Sequence, residues 1–214
     1  MFVADWMTKQ VITVGPGESV SHAMRLMKDK GIKHLPVVEN GAVVGVISDR
    51  DIRAYTPSKA TALDVYEINY LLAQATVKDA MGPQLATTTP DTPIEQAAQL
   101  LLDRDIGCLP VIDKGLLVGI ISDRDIFRAL VDITGVRHGG HRICVTVADT
   151  AGSIREVADT VRKHGFHLHG MLTSYEGVPK GSRRLVIRTD TDGNFDALSG
   201  DLRATYSFVR ITKG

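Results

Sequence analysis

A chain of 214 residues, at about 150 per domain, has room for one or two domains. Its 43% hydrophobic and 23% charged residues lie inside the globular range and exclude a disordered or fibrous chain. The 25 Lys plus Arg are cancelled by 25 Asp plus Glu, so the basic excess that phosphate-backbone binding needs is missing and nucleic acid is a poor first reading.

In chain order, the first finding is a repeat. Asp5 to Ile52 aligns with Asp79 to Ile126 without a gap, and roughly twenty positions are identical. The expected elements therefore come twice, as a β-α-β-β-α order in each copy. Val20, Ala23, Met24 and Met27 form the apolar stripe of one helix, and Ile94, Ala97, Ala98 and Leu101 repeat it. The second helix is announced by Thr92 as N-cap, Pro93 at N1 and Glu95 at N3. Two apolar runs follow, Leu35 to Val38 and Val43 to Ile47, joined by Asn40-Gly41, a hairpin signal, with Lys114-Gly115 in the second copy. A last helix begins just after Ser48 or Ser122.

Between the copies, Leu63 to Leu72 is apolar enough for a packed helix. After Ile126 the repeat stops, a helix runs to about Ile133, and Gly135 to His141 is a Gly-rich joint. Beyond it Ile143, Val145 and Val147 alternate as a strand, and Asp149-Thr-Ala-Gly152 turns the chain. Ser153 and Glu156 form a capping box for a helix with the stripe Ile154, Val157, Ala158 and Val161. Lys163 and His164 suit its C-terminal dipole and Gly165 its C′ position. Strands at Phe166 to Thr173 and Leu185 to Thr189, a helix near Phe195 to Arg203 and a strand at Tyr206 to Thr212 complete a ferredoxin-like β-α-β-β-α-β order. The class is α+β. The expected boundaries are 1–60 for the first repeat, 61–78 for a linker helix, 79–134 for the second repeat, 135–141 for the joint and 142–214 for the C-terminal domain.

Cys108 and Cys144 make no Cys-x-x-Cys pair and read as small buried hydrophobes of a reducing cytosol. No apolar run approaches the ~18 residues of a membrane span, and Met1 to Trp6 lacks a basic signal-peptide start, so a soluble cytoplasmic protein is expected.

The signatures of phosphate loops, dinucleotide folds, zinc proteases and nucleophile elbows are missing. What remains is the duplicated Gly-x-x-Ser-x-x-Asp at a strand-to-helix corner, Gly45/Ser48/Asp51 and Gly119/Ser122/Asp125. A helix N-terminus exposes unpaired N–H groups and positive partial charge, so a hydroxyl there helps hold phosphate, and a carboxylate one turn on can take both ribose hydroxyls. Gly45 and Gly119 would let a ligand approach the strand. The same Ser-x-x-Asp is also close to a capping box, and a duplicated cap repeats as readily as a duplicated site. Arg50 and Arg124 either reach phosphate or are simply solvated. Of the histidines, His164, His167 and His169 are weighed as metal ligands against solvent-facing strand residues, with no Cys or carboxylate partner at a convincing spacing, and His138 and His141 rank no higher. No metal is expected. Lys180, Arg183 and Arg184 read as a solvated basic hairpin.

Met7-Thr8 and Met81 opening the copies, Leu35-Pro36-Val37 and Leu109-Pro110-Val111 in their middles and Gly-x-x-Ser-x-x-Asp at their ends resemble a tandem pair of CBS domains, over Val3 to about Ile133. Pro57 to Leu72 is similar to the linker of acetoin-utilisation AcuB-like proteins. The C-terminal part is similar to an ACT domain, with Ala151 where the Asp-x-Pro-Gly turn has proline. The CBS resemblance implies adenosine-containing ligands (AMP, ADP, ATP, NAD or S-adenosylmethionine) in two clefts between the repeats, with no tightly bound cofactor. It implies Asp51 and Asp125 on ribose, Ser48 and Ser122 on phosphate, and the segments around Ile12, Ile32 to Pro36 with His34, Ala86, and Ile106 to Pro110 with Cys108 around adenine. His34 in one copy stands where the other has Cys108, so the two base pockets should differ in polarity; which copy donates which half of a cleft stays open. The ACT resemblance implies either amino-acid regulation at the loop Asp149 to Ser153 or a dimerisation domain that binds nothing. Together they imply a non-catalytic regulatory sensor, at least a homodimer, acting on a partner protein, with a link to acetoin or other small-carbon metabolism; the rival is a ligand-free structural interaction module. An enzyme finds no support beyond seven histidines.

Overall fold

Each repeat is organised around a β-hairpin whose turn is written into two residues. The first hairpin joins β1 (His34–Glu39) to β2 (Ala42–Ser48) and the second joins β3 (Cys108–Asp113) to β4 (Leu116–Ser122). Asn40 and Gly41 have φ of 50° and 82°, and Lys114 and Gly115 have 48° and 83°. Two left-handed residues in succession give the turn whose twist matches that of the strands, and glycine carries the second without strain. The computed structural model describes residues 1–55, 70 and 72–213 and divides into two units, Met1–Phe127 and Arg128–Gly214.

In the first unit the elements besides the hairpins are α1 (Val3–Trp6), α2 (Val20–Lys30), α3 (Asp49–Tyr55), α4 (Val77–Ala80), α5 (Ile94–Arg104) and α6 (Asp123–Ile133), the last running on into the second unit. Ser19 caps α2 by accepting the His22 N–H at 3.2 Å, and Gly31, at φ 64°, ends it. The helix buries Val20, Ala23 and Met27 on Leu35, Val37 and Ile47 of the hairpin, whereas Met24, expected in the stripe, is exposed. In the second copy α5 begins one residue later than expected. Pro93 is the N-cap and is extended, because the N-terminal segment bridges it: the Val3 N–H donates to Thr92 O and the Ile94 N–H to Met1 O. The Thr92 hydroxyl accepts the Thr89 N–H instead of capping the helix.

The strand expected at the start of each copy shrinks to a single parallel bridge, Val14 with Val37 and Thr88 with Val111. Prolines explain the arrest. Val14 takes part in two bonds, N–H to Pro36 O and O from Val38 N–H, and Thr88 does the same with Pro110 and Ile112. The next rung on one side needs an N–H from Pro36 or Pro110 and on the other from Pro16 or Pro90, and proline has none.

The two copies exchange their leading segments. Val3 and Ala4 donate to Thr92 O and Pro90 O of the second copy, and Val77 and Lys78 donate to Glu18 O and Pro16 O of the first. The close approach expected of a ligand at Gly45 and Gly119 is taken by methionine: a Cβ on Gly45 would meet Met81 Sδ at 2.7 Å, and one on Gly119 would meet Met7 Sδ at 2.5 Å. The helix expected over 61–78 lies largely outside the described residues; Leu72, Ala75 and Val77 are buried in the first repeat's core.

The second unit contains β5 (Arg142–Ala148), α7 (Ser153–Lys163), β6 (Leu168–Ser174), β7 (Ser182–Thr189), α8 (Phe195–Thr205) and β8 (Val209–Thr212), with a short 3-10 turn at Val136–His138. Sheet order β6-β7-β5-β8, antiparallel throughout, is the ferredoxin-like arrangement. Ile143, Val145, Val147, Leu185 and Ile187 point to one face and bury Val157 and Val161 of α7 and Leu198 and Leu202 of α8. The capping box expected from Ser153 and Glu156 does not form. Gly152, at φ 92°, is the N-cap, and the Ser153 hydroxyl donates to Thr150 O and accepts from Arg183 Nη2, both at 3.0 Å. Arg183 and Arg184 are accordingly no solvated hairpin: the first braces this turn and the second lies over the Phe208 ring at 4.9 Å.

Candidate functional site

Ser48 ends β2 and Ser122 ends β4, so each sits where a hairpin strand releases the chain into α3 or α6. Both corners cap themselves. Asp51 Oδ2 accepts the Ser48 N–H at 2.8 Å and the Ser48 hydroxyl at 2.6 Å, while the Asp51 N–H donates to Ser48 Oγ at 3.2 Å. Asp125 Oδ2 accepts the Ser122 N–H at 3.0 Å and its hydroxyl at 2.7 Å. The capping half of the sequence reading is therefore realised in both copies. In the first copy the cap uses Oδ2, and Asp51 Oδ1 is aimed toward Gly82, 3.8 Å from where a Cβ on that glycine would stand.

Asp51 opens onto a cavity of about 470 Å³ between the two copies. From the first copy come His34, Ser48, Arg50 and Asp51; from the second come Ala86, Ile106 and Cys108. The halves left open by the sequence are thus paired: the first copy's Ser-Asp corner faces the second copy's leading segment and the end of α5. Ser122, Arg124, Asp125, Ile12, Ile32, Pro36 and Pro110 are not among its lining residues, and Asp125 is only 8% exposed. His34 and Cys108, expected to distinguish two separate pockets, share this one. Gly107 makes the room, since a Cβ there would meet His34 Nε2 at 2.5 Å.

Arg104 and Gly82 also line the cavity and were missed in the sequence, and Lys33, inside the Ile32 to Pro36 segment expected around the base, brings a cation that was not singled out. Lys33 lies within the Ile32 to Pro36 segment and Arg104 just before the Ile106 segment, but the repeat has Gly107 opposite Lys33, so the duplication offers no second instance of that cation. Three cations, Lys33, Arg50 and Arg104, share the wall with Asp49, Asp51, Asp105 and Asp123, and Arg50 approaches Asp105 at 3.5 Å in an exposed pair that adds little stability. The floor is uncharged. Burial lowers the His34 pKa below its ordinary 6.5, against the pull of Asp123, Asp49 and Asp51, and burial first, then Asp123 and Asp51, pushes the Cys108 thiol up to about 12. A neutral thiol is a poor nucleophile.

The His34 shift carries a pH dependence. A histidine whose folded pKa is depressed takes up its proton more readily when unfolded, so stability is full above pH 6.5 and declines on acidification through that value. Denaturant titrations between pH 7.5 and 5.5 should show this decline, and His34→Gln should flatten part of it. An unchanged pH profile in that variant would refute the assignment. Burial also lowers the pKa of His141, 3% exposed between Phe166 and Phe195, so a second histidine contributes with the same sign.

The other histidines are placed without a metal geometry. His164 Nε2 meets Asp201 Oδ2 at 2.8 Å, and His169 stacks on His138 with ring centroids 5.5 Å apart. Among the described residues no group of three or more His, Cys, Asp or Glu is arranged to hold a metal, and no helix is long and apolar enough to cross a membrane.

Two hairpin-and-helix repeats with exchanged leading segments and a ligand-sized cavity between them define a paired-repeat α+β module. The chain belongs to the CBS domain family, whose model matches residues 3–58 and 77–132. It is 34% identical over 124 residues to the CBS domain-containing protein YhcV of Bacillus subtilis, covering 58% of this chain and 81% of that protein. It is similar to the crystal structure of CBSX2 in complex with AMP, with a TM-score of 0.51 and 32% identity, over 62% of this chain and 97% of that one. It is also similar to the crystal structure of a Vibrio cholerae protein named AcuB, for acetoin utilization, with a TM-score of 0.53 and 27% identity, over 64% and 96% of the two chains. Several homoserine O-acetyltransferases are matched over about a quarter of their own length.

Proposed function

We propose that this protein is a non-catalytic regulatory sensor whose CBS pair, over repeats at 1–60 and 79–134, binds an adenine nucleotide (AMP, ADP, ATP or NAD) in the cavity between them. One observation carries the reading: the Asp51 corner of the first copy meets Ala86 and Ile106 to Cys108 of the second around a single volume of nucleotide size. The spared Oδ1 of Asp51 takes the ribose hydroxyls, the uncharged floor of His34 and Cys108 suits a neutral base, and Lys33, Arg50 and Arg104 meet the phosphate. The AMP held by CBSX2 supports the same ligand class. The ferredoxin-like unit serves, as an ACT-like domain, in homodimerisation or in reading the nucleotide state to a partner protein. The likeness to AcuB supports a role in acetoin or related small-carbon metabolism in the cytoplasm.

Binding becomes a signal only through unequal affinity for two arrangements of the repeats. The closed Ser48–Asp51 cap favours a second reading, a structural module that binds nothing, because the Ser48 hydroxyl is already both donor and acceptor. Calorimetric titration with AMP, ATP and NAD separates the two. Saturable heat from one of them, at one site per chain or more, is expected; silence from all three overturns the sensor.

A further inference from the structure

In the second unit, on the sheet face turned away from α7 and α8, Arg142 of β5 and Arg188 of β7 are direct cross-strand partners. Like charges so placed repel. Their surroundings do not relieve it: among the described residues neither guanidinium meets a carboxylate, and Arg188 Nη1 donates only to Gly139 O at 3.1 Å. Beside them in register lie Gly170 and Leu172 of β6 and Val186 of β7. With Thr134 these residues line a cavity of about 140 Å³. Gly170 keeps it open to the end of α6, since a Cβ there would stand 3.2 Å from Ile133 O.

We propose that this cavity is a binding site for a short-chain aliphatic carboxylate. Two guanidinium forks with no internal counter-ion match a carboxylate's paired oxygens, and the anion removes the cross-strand repulsion. Leu172 and Val186 supply an apolar wall for a hydrocarbon tail. At ~30 Å³ per water the volume holds about five waters, the space of an acid of about four carbons. An amino acid of that skeleton fits worse, because no lining side chain carries the negative charge its ammonium group would seek. Inorganic phosphate leaves the apolar wall unused. The site is independent of the nucleotide reading, and it lies apart from the Asp149 to Ser153 loop.

The test is calorimetric titration of the full chain with butyrate, 2-aminobutyrate and inorganic phosphate at fixed ionic strength in chloride. Saturable one-to-one binding of butyrate is expected, weakened at least 10-fold in Arg142→Gln and in Arg188→Gln and blocked by Leu172→Trp. Either glutamine variant should melt no lower than the parent, because it relieves repulsion, and a parallel AMP titration should be unaffected by them. The proposal is overturned if butyrate gives no saturable heat, if both glutamine variants bind it as the parent does, or if 2-aminobutyrate or phosphate binds as tightly.

Discussion

Asp51→Ala is expected to weaken AMP binding by about 10- to 100-fold, while Asp125→Ala leaves binding in the 470 Å³ cavity within about twofold of the parent. The asymmetry follows from geometry that the repeated motif conceals. Both carboxylates cap their own helices, but only Asp51 lines that cavity. Hydrogen bonds from ribose hydroxyls to a charged acceptor are worth about 1.5–3 kcal/mol, the source of the predicted range. Asp51→Ala also removes the cap, at about 0.5–2 kcal/mol of stability, so affinity is to be measured well below the melting temperature, which circular dichroism fixes for each variant. Equal loss in the two single variants would refute the assignment of this cavity, and full AMP affinity in Asp51→Ala would show the carboxylate to be a cap and nothing more.

Most of the local structure was legible because its causes are local. Asn40-Gly41 and Lys114-Gly115 demand left-handed backbone whatever surrounds them, and the stripe of α2 needs only its own spacing. The exceptions trace to partners distant in the chain. Pro93 stays extended because Phe2 bridges it from the other end of the first unit, and Ser153 fails to cap α7 because Arg183, on a strand thirty residues away, holds its hydroxyl. The arrested leading strands were legible in principle. Pro16, Pro36, Pro90 and Pro110 stand at the rungs on either side of each bridge, but this shows only once the register is known.

The site divides in the same way. Ser48 and Asp51 announce themselves by spacing, whereas the identity of the opposite wall depends on the exchange of leading segments, which leaves no periodic trace. Duplication itself misled at His34 and Cys108. Corresponding positions in two copies suggest two equivalent pockets, yet a pseudo-symmetric pair can bring both residues to one cavity across its axis, with Gly107 making the space. Arg183 and Arg184 looked solvated for a related reason: polar residues at a hairpin are exposed by default, and only the sheet register reveals that one reaches a helix turn and the other an aromatic ring.

Leu35→Ala is expected to cost about 2–5 kcal/mol, read as a fall in the denaturant midpoint of the first unit at unchanged slope. Leu35 is fully buried, pairs with Ile47 and packs in the core shared with α2, where truncation leaves a void that the hairpin cannot close. It also stands next to His34, whose register partner is Ser48, so the same void loosens both cavity walls on the first copy. AMP affinity should fall with stability in Leu35→Ala. In Leu185→Ala, an equally buried residue in the second unit's separate core, a comparable loss of stability should leave AMP affinity as it was. Nucleotide binding that weakens alike in both variants would mean that the cavity draws its rigidity from the ferredoxin-like unit rather than from the hairpin beneath it.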